Sequence, residues 1–151
     1  MTQVRDTSAN SALGTVNPTP IANLQGSATY ETTIASGFTG SGSAGDVTQV
    51  VAGLDVDFNS GVISNGLLQV EVAGSQIWQI DFAGSVNHGL VDLTAIGGRL
   101  TNPGGLISNS IDANLGGVFT GNQAEAFVGG FDLLDKINIL NQVDGIYTIE
   151  R

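Results

Sequence analysis

The chain has 151 residues, with 14 acidic side chains against 4 Lys and Arg, a formal net charge of -10 and no cysteine. That charge repels phosphate backbones and argues against a nucleic-acid partner. The missing cysteines exclude disulfide staples and cysteine-ligated metal centres, and a single histidine leaves no transition-metal set, so no cofactor is expected.

Residues 1–23, rich in Thr, Ser, Ala and Asn with Pro18 and Pro20 at alternate positions, suit an extended N-terminal linker, and residues 24–151 suit one folded domain. The first twenty residues contain no apolar signal-peptide core, and no apolar run reaches the ~18 residues of a spanning helix. The chain therefore reads as not membrane-spanning, and as one domain of a larger protein. A first strand is expected over 28–34. The Gly-Ser stretch 37–45 follows; no Lys completes a phosphate loop, so it reads as a flexible turn or a bulged strand.

Alternation then becomes clear. Over 47–59, Leu54, Val56 and Phe58 alternate with Asp55, Asp57 and Asn59; over 62–72, Leu68, Val70 and Val72 alternate with Gln69 and Glu71. Over 77–86, Trp78, Ile80 and Phe82 alternate with Gln79 and Asp81. Period two with one apolar face marks half-buried antiparallel strands. Asn59-Ser60-Gly61, Asn65-Gly66, Ala73-Gly74-Ser75 and Asn87-His88-Gly89 carry hairpin-turn chemistry. Further strands are expected over 89–100, 111–119, 126–133 and 145–150. The segment 102–109, with Pro103-Gly104-Gly105, reads as a loop with one helical turn, and only 133–140 shows helical spacing.

Eight strands with one apolar face predict an all-β fold: a meander-like, eight-stranded antiparallel barrel, apolar inside and polar outside. Closure removes the exposed edges that invite aggregation, and eight strands enclose an interior that side chains just fill. A β-sandwich is the second architecture. A membrane barrel needs an outward apolar band with aromatic girdles, whereas aromatics are only 6% here and the acids lie within the strands.

The stretch "GGVFTGNQAEAFVGGF" carries Gly117, Phe119, Gly121, Ala124, Glu125, Gly129, Gly130 and Phe131 in an order that resembles the signature of the transferrin-binding-protein-B-like β-barrel domain. "GSATYETT" (Gly26, Ala28, Tyr30) is similar to that family's opening strand, and "LDVDFNSGVISNG" (Val56, Asp57, Phe58, Gly61) to its Val-Asp-Phe strand and turn. The resemblance implies one barrel lobe of a Gram-negative cell-envelope protein, on the outer face of the outer membrane or in the periplasm. This chain departs from the family in having one lobe, short loops and no lipobox cysteine, and in placing Phe127 where an acidic or small residue is usual. The barrel carries over; transferrin or haem binding does not. Read without the family, the signature glycines let strands bend and let aromatic rings lie over bare backbone, and Glu125 sits where it can accept backbone N–H bonds.

Catalytic chemistry is thin. His88 stands in a turn with no serine elbow before a helix, so no catalytic residue is assigned and the chain reads as non-enzymatic. Calcium needs only clustered oxygens, which makes Asp55, Asp57 and Asn59, at i, i+2 and i+4, the metal candidates; a solvated strand face is the plainer reading. Asp132, Asp135 and Asp144 form a second acidic group. The functional expectation is a binding module with a protein partner, or a display or spacer module, of a bacterial cell-envelope protein. The alternative is a lipocalin-like carrier of a small apolar ligand, in which Trp78, Phe58, Phe82, Phe119 and Phe131 would line a cavity.

Overall fold

The computed structural model describes residues 25–34 and 36–151. The linker expected over 1–23 lies outside them. Among the described residues every regular element is a strand: β1 (Ser27–Glu31), β2 (Phe38–Gly42), β3 (Gly45–Asp57), β4 (Val62–Val72), β5 (Gln76–Asn87), β6 (Leu90–Asn102), β7 (Gly105–Ser108), β8 (Ile111–Thr120), β9 (Ala126–Asp135) and β10 (Gln142–Glu150).

One sheet runs in the order β7-β6-β5-β4-β3-β1-β10-β9-β8. Strands β3 to β7 form one antiparallel meander and β8 to β10 a second; β1 joins them, and β8 lies back against β6, so the sheet curls into a barrel. Antiparallel order puts the β3–β4, β5–β6 and β8–β9 turns on one rim, here the lower. The β2–β3, β4–β5 and β6–β7 turns and the β9–β10 loop stand on the upper rim.

Among the described residues the strands number ten, where the sequence pattern suggests eight. The first strand ends at Glu31 because Thr32 turns its hydroxyl to the neighbouring backbone, donating to the Ala52 carbonyl (3.2 Å) and accepting from the Ala52 N–H (2.7 Å). Ser36 closes the following turn, its hydroxyl accepting from the Thr33 N–H (2.8 Å). The chain then re-enters the sheet as β2, which pairs with β10 along Phe38–Gly42 and with β3 at Ser41 and Gly42. The Gly-Ser stretch is therefore mostly strand. Glycine is required there: a Cβ on Gly40 would lie 2.4 Å from the Asp144 carbonyl.

The second addition is β7. Asn102 accepts from the Gly104 N–H (2.8 Å) and tightens the turn, so the chain folds back along β6 rather than forming the helical turn expected in 102–109. The helical spacing over 133–140 is likewise overruled: β9 continues to Asp135 against β8 and β10, and the remaining residues form a loop. Asn65-Gly66 is not a hairpin. Ile63 and Leu68 are both buried although they stand five positions apart, an odd offset. Alternation must slip once between them, and the slip is a β-bulge at Asn65, φ +53°.

Tyr30, Leu54, Leu68, Val70, Trp78, Ile80, Phe82, Leu100, Phe127, Phe131, Leu133 and Ile149 are buried together, while Asp81 is exposed. Burying each such large side chain stabilises the fold by about 1.5–3 kcal/mol.

Candidate functional site

The three calcium candidates stand on the outer wall toward the lower rim. Asp55 accepts from the Thr29 hydroxyl (2.7 Å) and from Asn65 Nδ2 (2.8 Å), and these two bonds, Asn65 first, hold its carboxyl below the ordinary range. Asp57 turns away from Asp55 to cap the β3–β4 turn, accepting from the N–H groups of Asn59 (2.9 Å) and Ser60 (3.3 Å). Asn59 accepts from the Gly26 N–H at 3.5 Å. The three side chains thus accept from different local partners. Asp55 and Asp57 share a shallow open groove of about 650 Å³ with Ser27, Thr29, Ser60 and Ser64. Among the described residues no group of three or more His, Cys, Asp or Glu side chains is placed to hold a metal ion. His88 is exposed at the tip of the β5–β6 turn, φ +52°.

The three motif stretches converge on one aromatic cluster. Phe119 touches Tyr30 (ring centroids 5.3 Å), Phe58 (5.0 Å) and Phe127 (5.0 Å), and the row continues through Tyr147 to Phe131. Two of the signature glycines, Gly117 and Gly129, are slots for these rings. A Cβ at Gly117 would lie 2.0 Å from the Phe127 ring, and one at Gly129 2.2 Å from the Tyr147 ring. The segment 121–125 is the β8–β9 turn. Glu125 accepts from the Gln123 N–H (2.7 Å), which lowers its pKa, and Arg151 donates to the Gln123 carbonyl. The Tyr30 hydroxyl donates to the buried Ala124 carbonyl, and burial pushes the phenol up to about 12. These contacts are architectural: each group faces another part of the same chain.

No family model matches the sequence, and no curated protein does. Among solved structures the chain is similar to a double mutant of transferrin-binding protein B from Haemophilus parasuis Hp5, at 15% identity and a TM-score of 0.44. It is also similar to the isotype 1 transferrin-binding protein B of serogroup B Neisseria meningitidis, at 15% identity and a TM-score of 0.42. Each alignment covers 89% of this chain and 28% of the other, so the chain spans less than a third of either protein. The likeness is a distant one, at the level of the fold.

The upper rim holds a grouping that the sequence pattern hides. Asp135 is buried and organises the β9–β10 loop: it accepts from the Ile137 N–H (2.9 Å) and from Asn141 Nδ2 (3.1 Å), with Ser108 of β7 as a further donor. Burial alone would raise its pKa, but these bonds outweigh burial and leave the carboxyl below the ordinary range. The loop it braces carries Ile137, Ile139 and Leu140 into solvent. Beside the loop, Asp132 stands opposite Asp144, and Asp144 opposite Ser41, which faces Asp46 across the β2–β3 hairpin. Partial burial, then the Asp132 carboxylate, raises the pKa of Asp144. Of the second acidic group, Asp132 and Asp144 thus share the outer wall while Asp135 turns inward. In β8, Asn114 lies opposite Asp132, buried, and its Nδ2 has no hydrogen-bond partner among the described residues. Strand alternation identifies inward and outward faces, but it gives no sign that a run of apolar residues at a strand's end is held outside.

Proposed function

We propose that this chain is a non-enzymatic binding or display module of a bacterial cell envelope, a closed eight-position barrel with an apolar interior in which β1 and β2 share one place and β7 and β8, both lying against β6, share another. The observation that carries the binding mode is the state of the interior rings. Trp78, Phe82, Phe131 and Phe119 are 0%, 1%, 1% and 2% exposed. A side chain lining even a water-sized cavity keeps accessible surface, so these four rings, with the partly buried Phe58 packed against them, support an interior filled by protein rather than by a carried ligand. Whatever the barrel binds, it binds on its outer wall or rims, and the partner of that chemistry is a protein. The surface is acidic yet sparse in total charge, and the motif resemblance in Gly26–Phe131 supports a Gram-negative outer-membrane or periplasmic address.

Two measurements test this. A fluorescent fatty acid titrated against the protein should leave Trp78 emission unchanged; sub-micromolar binding that quenches Trp78 would establish the lipocalin-like carrier instead. The native product of the gene should fractionate with the envelope and be accessible to protease added to cells or spheroplasts. Recovery in the cytosolic fraction would refute the address.

A further inference from the structure

We propose that the upper rim is the docking surface of this module, and that its occupant is a protein with a basic face surrounding an apolar socket for the β9–β10 loop. The inference rests on the reading of the chain as a binding module and adds where it binds and to what chemistry.

Three aliphatic side chains stand together in solvent: Ile137, Ile139 and Leu140 are 76%, 68% and 75% exposed. A slack loop could tuck such residues against the wall. This one is braced outward from within. The Lys136 N–H donates to the Ser110 carbonyl (2.8 Å), the Ile137 N–H and Asn141 amide bind the Asp135 carboxylate, and the Leu140 N–H donates to Asn138 Oδ1 (3.2 Å). The Asn141 N–H closes the turn on the Asn138 carbonyl (2.9 Å). The ordering cost is thus met in the fold and is not repeated on binding. Clustered exposed aliphatic residues mark interaction surfaces, and central apolar anchors carry most of the binding energy at such surfaces.

Charge decides the occupant. Asp144 and Asp46 are exposed beside the loop, in a cross-strand row with Ser41 between them, and Asp132 lies on the other side of Asp144. Lys136 is the loop's one cation. A second copy of this chain would bring the same carboxylates and the same net charge of -10 against this rim, and an anionic bilayer would be repelled in the same way. A basic protein surface relieves the crowded carboxylates while its socket covers the three aliphatic groups.

The test titrates a synthetic amphipathic peptide of alternating Lys and Leu into the isotopically labelled full chain and maps the shifts residue by residue. Phosphatidylcholine vesicles and the concentrated chain alone serve as the other arms. Shifts should centre on residues 136–146 and 41–46, with affinity falling as salt rises. The double variant Ile139→Ser/Leu140→Ser should weaken binding about tenfold or more, and Asp144→Asn about threefold with a flatter salt dependence. The loop variant alters exposed side chains, so its melt should match the parent, while Asp144→Asn, which removes the repulsion from Asp132, should melt at or above it. Peptide shifts elsewhere, or affinity indifferent to these variants, overturn the assignment of the surface while the binding-module reading stands. Vesicle binding or self-association abolished by the loop variant overturns the choice of occupant. No peptide binding overturns the proposal outright, whereas the module reading falls only to the Trp78 and fractionation measurements.

Discussion

Trp78 and Asp81 stand on opposite faces of one strand, and their substitutions should differ accordingly. Trp78→Ala empties a fully buried site and should cost about 3–5 kcal/mol in a denaturant melt. Asp81→Asn on the exposed face should stay within about 0.5 kcal/mol. Asp135 is the harder case, because it is a buried carboxylate held by donors on several sides. In Asp135→Asn the new amide nitrogen meets a donor wherever it points, and the expected loss is about 1–3 kcal/mol. The pH dependence has a definite sign. The folded pKa is depressed, so the stabilisation is complete above the unfolded carboxylate's pKa and disappears as pH falls through the folded one. Stability measured from neutral pH downward should therefore fall less steeply in Asp135→Asn than in the parent; parallel curves would show that Asp135 is not the acid-sensitive group. Asp144 shifts the other way and partly offsets this, since acid relieves its burial and its repulsion from Asp132. Asn114→Leu removes a buried amide nitrogen that finds no partner among the described residues and should leave stability unchanged or raise it by up to about 1 kcal/mol in the same melts.

At the scale of the element, the bulge in β4 sets which residues of that strand face the core. Asn65 sits at φ +53° and donates to Asp55. Asn65→Gly keeps the backbone conformation and loses only an exposed hydrogen bond, whereas Asn65→Val forces a β-branched residue into the left-handed region and should cost about 1–3 kcal/mol in thermal or denaturant unfolding. Equal melts for the two variants would remove the bulge's role in register. The same element shows what was legible in the sequence. The facing of Trp78, Ile80 and Phe82 follows from period two, and the bounds of β4 fall at 62 and 72 as expected. Asn65-Gly66 carries the chemistry of a turn and of a bulge equally, and only the odd spacing from Ile63 to Leu68 separates the two. The breaks after Glu31 and before β7 rest on the side-chain hydrogen bonds of Thr32 and Asn102, which leave no mark in hydrophobic periodicity. The exposed loop was hidden because Ile137, Ile139 and Leu140 look like core residues until Asp135 is seen to turn the chain outward. Asp55 and Asp57 lie on β3 but Asn59 falls in the turn that follows it, and local donors, invisible to spacing, engage the three side chains separately.

For the whole molecule, a net charge of -10 spread over a barrel wall means that folding compresses mutually repelling carboxylates. Raising sodium chloride from low to near-molar concentration should screen that repulsion and raise the midpoint of thermal unfolding; a midpoint that falls with salt would mean that attractive pairs dominate. The glycine slots bear on how such a barrel changes over generations. Phe127 occupies the space a methyl group on Gly117 would need, and Tyr147 the space of one on Gly129. Neither member of a pair is free to vary while the other stays. Ala at Gly129 should be severely destabilising beside Tyr147 and much better tolerated beside a leucine at 147, so that the double variant outperforms the sum of the two single ones. Each ring and its glycine thus form one packing unit written at two positions, and the barrel can exchange that unit without a clash only by changing both together.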